Sequence, residues 1–325
     1  MTRTVLVTGG AGYIGSHTCK ALRLAGYTPV AYDNLCRGHQ WAVKWGPLEE
    51  GDTRDTARLR EVLERHRPEA VLHFAAFTYV GESVEAPLLY AANNVAGTVS
   101  LLEACREAGV RRFVLSSTAA VYGTPEQVPI PEDHPRRPVN PYGRTKAFLE
   151  DLLEDAWRAH GLAAISLRYF NAAGADEDAD TGEAHEPETH LIPLALDAAR
   201  GAHPRLILFG DDYDTPDGTC IRDYIHVSDL AEAHVLALKS LEKAPRCEAY
   251  NLGLGQGFSV KEVIRAAAEV TGMPIPVEVG GRRPGDPPVL VADPSRARRD
   301  LGWTPRFQDL HAILETAWRW ILLRP

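Results

Sequence analysis

Tyr142 and Lys146 stand four residues apart just after Pro141, so a helix starting there puts phenol and ammonium on one face. A tyrosine of ordinary pKa ~10 is barely ionised near neutrality. An ammonium ~4–5 Å away, at an effective dielectric of ~20, favours the phenolate by roughly 3–4 kcal/mol. Such a phenolate can take the proton of a sugar hydroxyl while hydride leaves the same carbon. Thr118 ends the run Ser116-Ser117-Thr118 and offers a hydroxyl to hold that oxygen. Together the three residues suit alcohol–ketone interconversion. With 11 tyrosines and six lysines in the chain, about 0.2 such pairs arise by chance. A solvated helix face explains the pair equally well until its context is added.

That context is a hydride acceptor. Thr8-Gly9-Gly10-Ala11-Gly12-Tyr13-Ile14-Gly15 follows an apolar run and opens a helical pattern. Gly9, Gly12 and Gly15 permit a tight turn, close backbone approach to a pyrophosphate and close helix–sheet contact, with the helix N-terminus facing the phosphates. Asp33 follows Gly15 by 18 positions at the end of a second apolar run. A carboxylate there accepts from a ribose 2′-hydroxyl and repels a 2′-phosphate, which favours NAD over NADP. Arg37 is the nearby cation to be reconciled with that choice.

The elements that position these groups follow from periodicity. Strands are expected at Thr4–Thr8, Thr28–Tyr32, Ala70–Phe74, Arg112–Ser116 and Ala163–Tyr169. Helices are expected at Tyr13–Ala25, Thr56–Arg65, Pro87–Ala108 and Pro141–His160. Apolar strands alternating with helices imply an α/β fold, a Rossmann-type doubly wound parallel sheet with its ligand at the strands' carboxyl ends. The dinucleotide domain is expected over 1–170, with later segments returning to it. Residues 171–325 are expected to form mainly a smaller, mixed α/β substrate lobe. The stretch Asn171–His190 carries seven acids and no Lys or Arg; it reads first as a solvated loop and second as a lid.

Composition narrows the class. The 325 residues carry 35 Lys and Arg against 44 Asp and Glu, a net charge of −9, which disfavours a nucleic-acid binder. Five scattered cysteines without CxxC spacing argue against disulfide or zinc frameworks. No signal peptide or membrane span is apparent, so a cytoplasmic protein is expected. Twelve histidines raise the question of a metal. His185 and His190 flank Pro187, which breaks a helical ligand pair, and His226 and His234 lack further evident ligands, so no metal is expected.

The glycine fingerprint, the strand end from Ser116 to Gly123, the YxxxK helix and RYFNAAGA (Arg168–Ala175) resemble the extended short-chain dehydrogenase/reductase family. TGGAGYIGSH, AYDNLCRGH, HFAAFTYVGES, NNVAGT, FGDDYDTPDGTCIRDYIHVSDLA and RRPGDPP are similar to its members that invert C4 of UDP-hexoses. The resemblance covers Val5 to about Trp303, most specifically Phe209–Leu230. It implies tightly bound NAD, reused within each cycle through a transient 4-keto sugar. It implies that Tyr142 is the base, Lys146 binds the nicotinamide ribose and Thr118 assists. Tyr13, Ile14, Asp33, Asn34, Asp52, Thr53, Phe74, Ala75, Ala76, Asn94 and Phe170 would surround the cofactor. Asn171, His190, Leu191, Phe209, Arg222, Tyr224, Arg283, Asp286 and Leu290 would hold the nucleotide sugar, the arginines offering planar donor sets for a diphosphate. It also implies a homodimer built on the helices Pro87–Ala108 and Pro141–His160.

Two positions depart from many bacterial members: Thr78 replaces a lysine, and Leu290 replaces a bulky tyrosine that gates an N-acetyl group. Rival readings are a uronate or pentose 4-epimerase, a 4,6-dehydratase and a non-catalytic dinucleotide sensor. The dehydratase needs an Asp-Glu pair after the threonine, where this chain has Ala119 and Ala120. The sensor has no use for Tyr142, Lys146 and Thr118 together.

Overall fold

A computed structural model describes residues 3–283 and 285–324. The first half of the chain runs β1 (Arg3–Thr8), α1 (Tyr13–Leu24), β2 (Tyr27–Asp33), β3 (Leu48–Glu50), α2 (Thr56–His66) and β4 (Ala70–His73). It continues with α3 (Val80–Glu85), α4 (Pro87–Tyr90), α5 (Gly97–Glu107), β5 (Arg112–Thr118), α6 (Pro141–His160) and β6 (Ala163–Tyr169). The second half runs β7 (Asn171–Ala173), α7 (Leu191–Ala199), β8 (Leu206–Phe209), β9 (Ile221–Arg222), β10 (Tyr224–His226), α8 (Val227–Lys243) and β11 (Cys247–Leu252). It ends with β12 (Phe258–Ser259), α9 (Val260–Thr271), β13 (Val277–Gly280), β14 (Val289–Leu290), α10 (Ser295–Leu301) and α11 (Leu310–Leu323).

The main sheet has seven strands in the order β11-β6-β5-β4-β1-β2-β3, and its strands pair in parallel. Alternation along β1 divides the core. Val5 and Val7 face α1 and α8, packing with Leu22, Leu238 and Leu241. Leu6 faces the other way, toward Leu59 of α2, Leu101 of α5 and Leu149 of α6. Burial of each such side chain stabilises the fold by ~1.5–3 kcal/mol. A third core joins α7, α9 and α11 around Ile192, Val263 and Leu314. Among the described residues, no helix is long and apolar enough to cross a membrane.

The chain order reverses on either side of β1, because β2 and β4 are both its neighbours. The carboxyl ends of β1, β4 and β5 therefore open onto one crevice. Sequence beyond residue 170 returns to this layer: β11 extends the sheet beyond β6, and α8 covers it beside α1.

Three expectations need correction. The long helix Pro87–Ala108 is three pieces, α4, a π-helical turn at Ala91–Ala96, and α5, and helical structure already starts at Val80. The π turn widens the helix where Asn93 and Asn94 are buried, a common device near functional sites. Strand β3 has only three residues, too few to show a period. The acidic stretch is not a solvated loop. Lys20 Nζ reaches Asp176, Asp178 and Asp180 at 2.6, 3.1 and 2.9 Å, and Trp320 Nε1 donates to the Glu183 carbonyl at 2.9 Å. Its charge is matched from α1 and its backbone is anchored from α11, contacts far away in sequence.

Candidate active site

Helix α6, which carries Tyr142 and Lys146, has both its ends well specified. Asn140 Oδ1 accepts from Gly143 N at 2.8 Å, Pro141 takes the first turn, and Gly161 closes the helix with φ 68°. Lys146 is thereby driven into the protein, 1% exposed, with Nζ donating to the Ser116 carbonyl at 2.7 Å. Burial pushes its ammonium down to about 8, while Glu150, one turn on, works the other way. Tyr142 is pushed up to about 12 by burial, against a hydrogen bond with the Thr118 hydroxyl. Thr118 Oγ1 is itself fixed at the end of β5, accepting from Ala120 N at 3.1 Å.

This corrects the simple electrostatic expectation. The chain alone does not lower the phenol, because Lys146 is committed to Ser116 and desolvation dominates at both residues. The phenolate requires positive charge brought by a ligand, as an oxidised nicotinamide would bring. Geometry assigns Lys146 a contact with the Ser116 carbonyl and fixes Thr118 at the end of the same strand, β5.

The residues at β1 and β2 fit a dinucleotide. Gly9 has φ +73°, and a Cβ there would lie 2.6 Å from Ala75 N. A Cβ on Gly15 would strike the Gly9 carbonyl oxygen. Gly12 precedes α1 with no side-chain cap on the first turn, so the N–H groups after it are free to meet an anion. Asp33 is held by Ala11 N at 3.0 Å and Leu35 N at 2.9 Å. Arg37 does not oppose it: its guanidinium pairs with Glu82 at 2.8 Å and lies 4.8 Å over the Tyr79 ring. Arg37 is thus engaged away from Asp33.

The other residues expected to contact a cofactor lie around this cradle. Asn34 Nδ2 donates to Asp52 at 2.9 Å, and Arg54 grips the same carboxylate at 2.8 and 2.7 Å, holding it far below the usual range. Thr53 is buried beside Gly97. Phe74 N and Ala75 N both donate to the Thr8 carbonyl, at 2.8 and 3.1 Å. Ala76 is half-buried on the same loop. Asn94 accepts from Phe77 N at 2.8 Å and donates to Thr145 Oγ1 at 3.2 Å, tying that loop to α6. Tyr13 Oη donates to the Gly174 carbonyl at 2.6 Å, and Ile14 packs on the adjoining core.

Strand register carries the site onward without a gap. Thr118 pairs with Tyr169 across β5 and β6, and the chain then runs through Phe170 to Asn171, which pairs with Tyr224 across β7 and β10. Two residues before Tyr224 stands Arg222, paired with Leu290 across β9 and β14. Arg222 forms an ion pair with Asp286, and Arg283 lies 4.0 Å over the Phe209 ring. Phe170 and Leu290 pack against one small core, Ala119, Val121, Tyr122 and Ile130. His190 instead turns its ring to Glu183 and Glu188, and Leu191 begins α7 beside it.

Some supporting residues were not legible from motifs. Buried Glu150 accepts from Ser117 Oγ at 2.5 Å and from Arg168 Nε at 3.0 Å, locking α6 to β5 and β6. Asp223 accepts from the N–H groups of Leu254, Gly255 and Ala292 at 2.8, 3.1 and 3.2 Å, and burial pushes it up to about 6. Neither acid carries a local signal: Glu150 stands among other charged residues on α6, and Asp223 lies in the link between β9 and β10.

A glycine cradle backed by an acidic strand end, with a tyrosine and lysine on the facing helix, defines a dinucleotide-dependent enzyme that oxidises a hydroxyl. The profile of the NAD dependent epimerase/dehydratase family matches residues 5–253, and the chain belongs to that family. It is 55% identical to the UDP-glucose 4-epimerase of Rhizobium leguminosarum bv. trifolii over 317 residues, 98% of this chain and 97% of that one. The crystal structure of UDP-glucose 4-epimerase from Brucella ovis in complex with NAD superposes with a TM-score of 0.96 at 53% identity, covering 98% of each chain. The UDP-Glc/GlcNAc 4-epimerase of Campylobacter jejuni is similar at a TM-score of 0.85 and 42% identity, again covering 98% of each.

Proposed function

We propose that this enzyme interconverts UDP-galactose and UDP-glucose by inverting C4 through a transient 4-keto sugar. The observation that carries the reading is the strand register that links Thr118, through Tyr169, Asn171 and Tyr224, to the Arg222–Leu290 pair. It leads from the proton-transfer site to a diphosphate-binding group along bonded strands. NAD, when bound at Gly9–Gly15 and Asp33, supplies a hydride acceptor and donor. Tyr142 takes the O4 proton and returns it, Thr118 holds the same oxygen, and Lys146 steadies the nicotinamide ribose. Arg222 and Arg283 grip the diphosphate, so that the sugar can turn while its anchor stays fixed. The 4,6-dehydratase alternative lacks its acid and base, because Ala119 and Ala120 occupy the turn after Thr118.

Leu290 sets the breadth of the substrate pocket. A leucine beside Arg222 leaves room that a tyrosine would fill, so the wild type is expected to turn over UDP-GalNAc and UDP-GlcNAc as well. Assays of both substrate pairs without added NAD test this together with the main reading. Leu290→Tyr should lose at least roughly tenfold in kcat/KM for the N-acetylated pair alone. Failure of the wild type on UDP-galactose would sink the function, and failure on the N-acetylated pair alone would sink the pocket assignment.

A homodimer is the assembly we favour. Leu88, Val84 and Phe148 are 83%, 62% and 50% exposed on the α3–α6 face, around an apolar groove lined by Ala92, Val95 and Ala96. Such a face calls for a partner. Sedimentation of the wild type as a dimer and of Leu88→Glu as a weakened one is expected; a wild-type monomer contradicts it.

A further inference from the structure

Between β7 and α7, outside the proton-transfer pair, two imidazoles and two carboxylates converge. Glu183, His185, Glu188 and His190 each present one ligand atom, and all four atoms lie within 4.8 Å of one another. His190 Nδ1 is 2.5 Å from Glu183 and 3.4 Å from Glu188, and His185 Nδ1 is 3.1 and 3.7 Å from the same carboxylates. An ion with four bonds of ~2.0–2.1 Å in tetrahedral array needs ligand atoms roughly 3.3 Å apart. The observed separations bracket that value. Pro187 does exclude a helical pair, but the segment is a loop, and the two rings, which flank Pro187 in sequence, both reach Glu183.

Two observations set the cluster apart from a simple pair such as His190 Nδ1 with Glu183 Oε1, which are hydrogen-bonded at 2.5 Å. The Glu188 side chain is only 9% exposed, its Oε2 faces His185 Nδ1, and neither atom has a hydrogen-bond partner. His185 Nδ1 is near Glu183 but misaligned for a hydrogen bond, an arrangement that suits a shared ion better than a shared proton. Moreover, the charged partners of Glu183 and Glu188 among the described residues are these two histidines. The acidic trio beside them differs, since Lys20 already fills the centre of Asp176, Asp178 and Asp180.

The ligands are also held from outside. His39 Nε2 is 2.7 Å from the Ala184 carbonyl, Trp320 Nε1 donates to that of Glu183 at 2.9 Å, and Tyr79 Oη to that of Pro187 at 3.1 Å. The rings of Tyr13 and Tyr79 stand edge-on to His185 with centroids 6.3 and 6.1 Å away. These contacts fix the backbone of the loop that carries the four side chains.

We propose that Glu183, His185, Glu188 and His190 bind one divalent first-row transition ion, which staples the 171–190 segment to the start of α7. The mixed nitrogen and oxygen donors suit zinc and its neighbours over calcium or magnesium. The competing occupants are two protons, which would sit between the same ring nitrogens and carboxylates. The proposal requires no particular sugar substrate, so its failure would leave the epimerase reading untouched.

The test uses full-length protein purified with a histidine-free tag, stripped with a chelator and titrated with zinc chloride. The wild type should bind about one zinc ion per chain and gain thermal stability on binding. Cobalt(II) should give the visible bands of a four-coordinate nitrogen–oxygen site without thiolate charge transfer. The double variant His185→Gln with Glu188→Gln should lose at least roughly tenfold in affinity. Absence of saturable zinc binding by the wild type would overturn the proposal, whether or not the variant folds. So would a thiolate band, or a folded double variant that binds zinc as the wild type does.

Discussion

Tyr142→Phe is expected to reduce kcat for UDP-galactose by roughly 10²–10⁴-fold, the usual contribution of a positioned proton-transfer group. The change removes one oxygen from the phenol on α6, while the ring, the cradle around Gly9–Gly15 and Asp33 remain. The variant should therefore still retain NAD, measured as nucleotide released on denaturation. KM should move little, because the phenol acts chiefly on the transition state. Near-normal turnover in Tyr142→Phe would remove the base from the account. Loss of NAD together with activity would move the residue's role to cofactor binding.

Glu150→Ala is expected to cost the fold about 3–5 kcal/mol, the range for breaking a buried pair by removing one partner. Glu150 and Arg168 are 4% and 5% exposed. Their contact joins α6 to β6, Ser117 adds β5 at 2.5 Å, and Arg136 reaches the same carboxylate at 3.1 Å. Removing the acid strands a guanidinium in the core and also withdraws the negative charge that supports the Lys146 ammonium. Urea unfolding measures the loss. Arg168→Met in the same chain should restore part of it, since the uncompensated charge is then gone. A single variant within about 1 kcal/mol of the wild type would show that the network is not what fixes α6.

Much of the architecture was legible because local and long-range signals agreed. Helix α6 was read with its observed limits, Pro141 to His160, since Asn140, Pro141 and Gly161 mark its ends chemically. Strand β1 was legible from Val5-Leu6-Val7, apolar because both sheet faces are covered. The π turn at Ala91–Ala96 was not, because the contact made from it, Asn94 reaching back to Phe77, leaves no periodic trace. Strand β11 was not specified as the sheet's edge, since Cys247–Leu252 mixes polar and apolar residues and only its pairing with β6 declares its place.

The site divides in the same way. The glycines, Asp33, Tyr142 and Lys146 could be placed because their spacing is local. That Lys146 bonds the Ser116 carbonyl, and that burial outweighs it at Tyr142, depends on how α6 meets β5. The acidic stretch was misread for a related reason. Its order comes from Lys20 and Trp320, 156 and 137 positions away along the chain.

The central claim is that hydride leaves C4 and returns to C4 within one closed active site. Its most direct test starts from UDP-galactose carrying deuterium at C4, incubated with the wild type in ordinary water without added NAD. The account predicts UDP-glucose with the label retained at C4 and none lost to solvent. Unlabelled UDP-glucose, or label found at another carbon of the sugar, would contradict it.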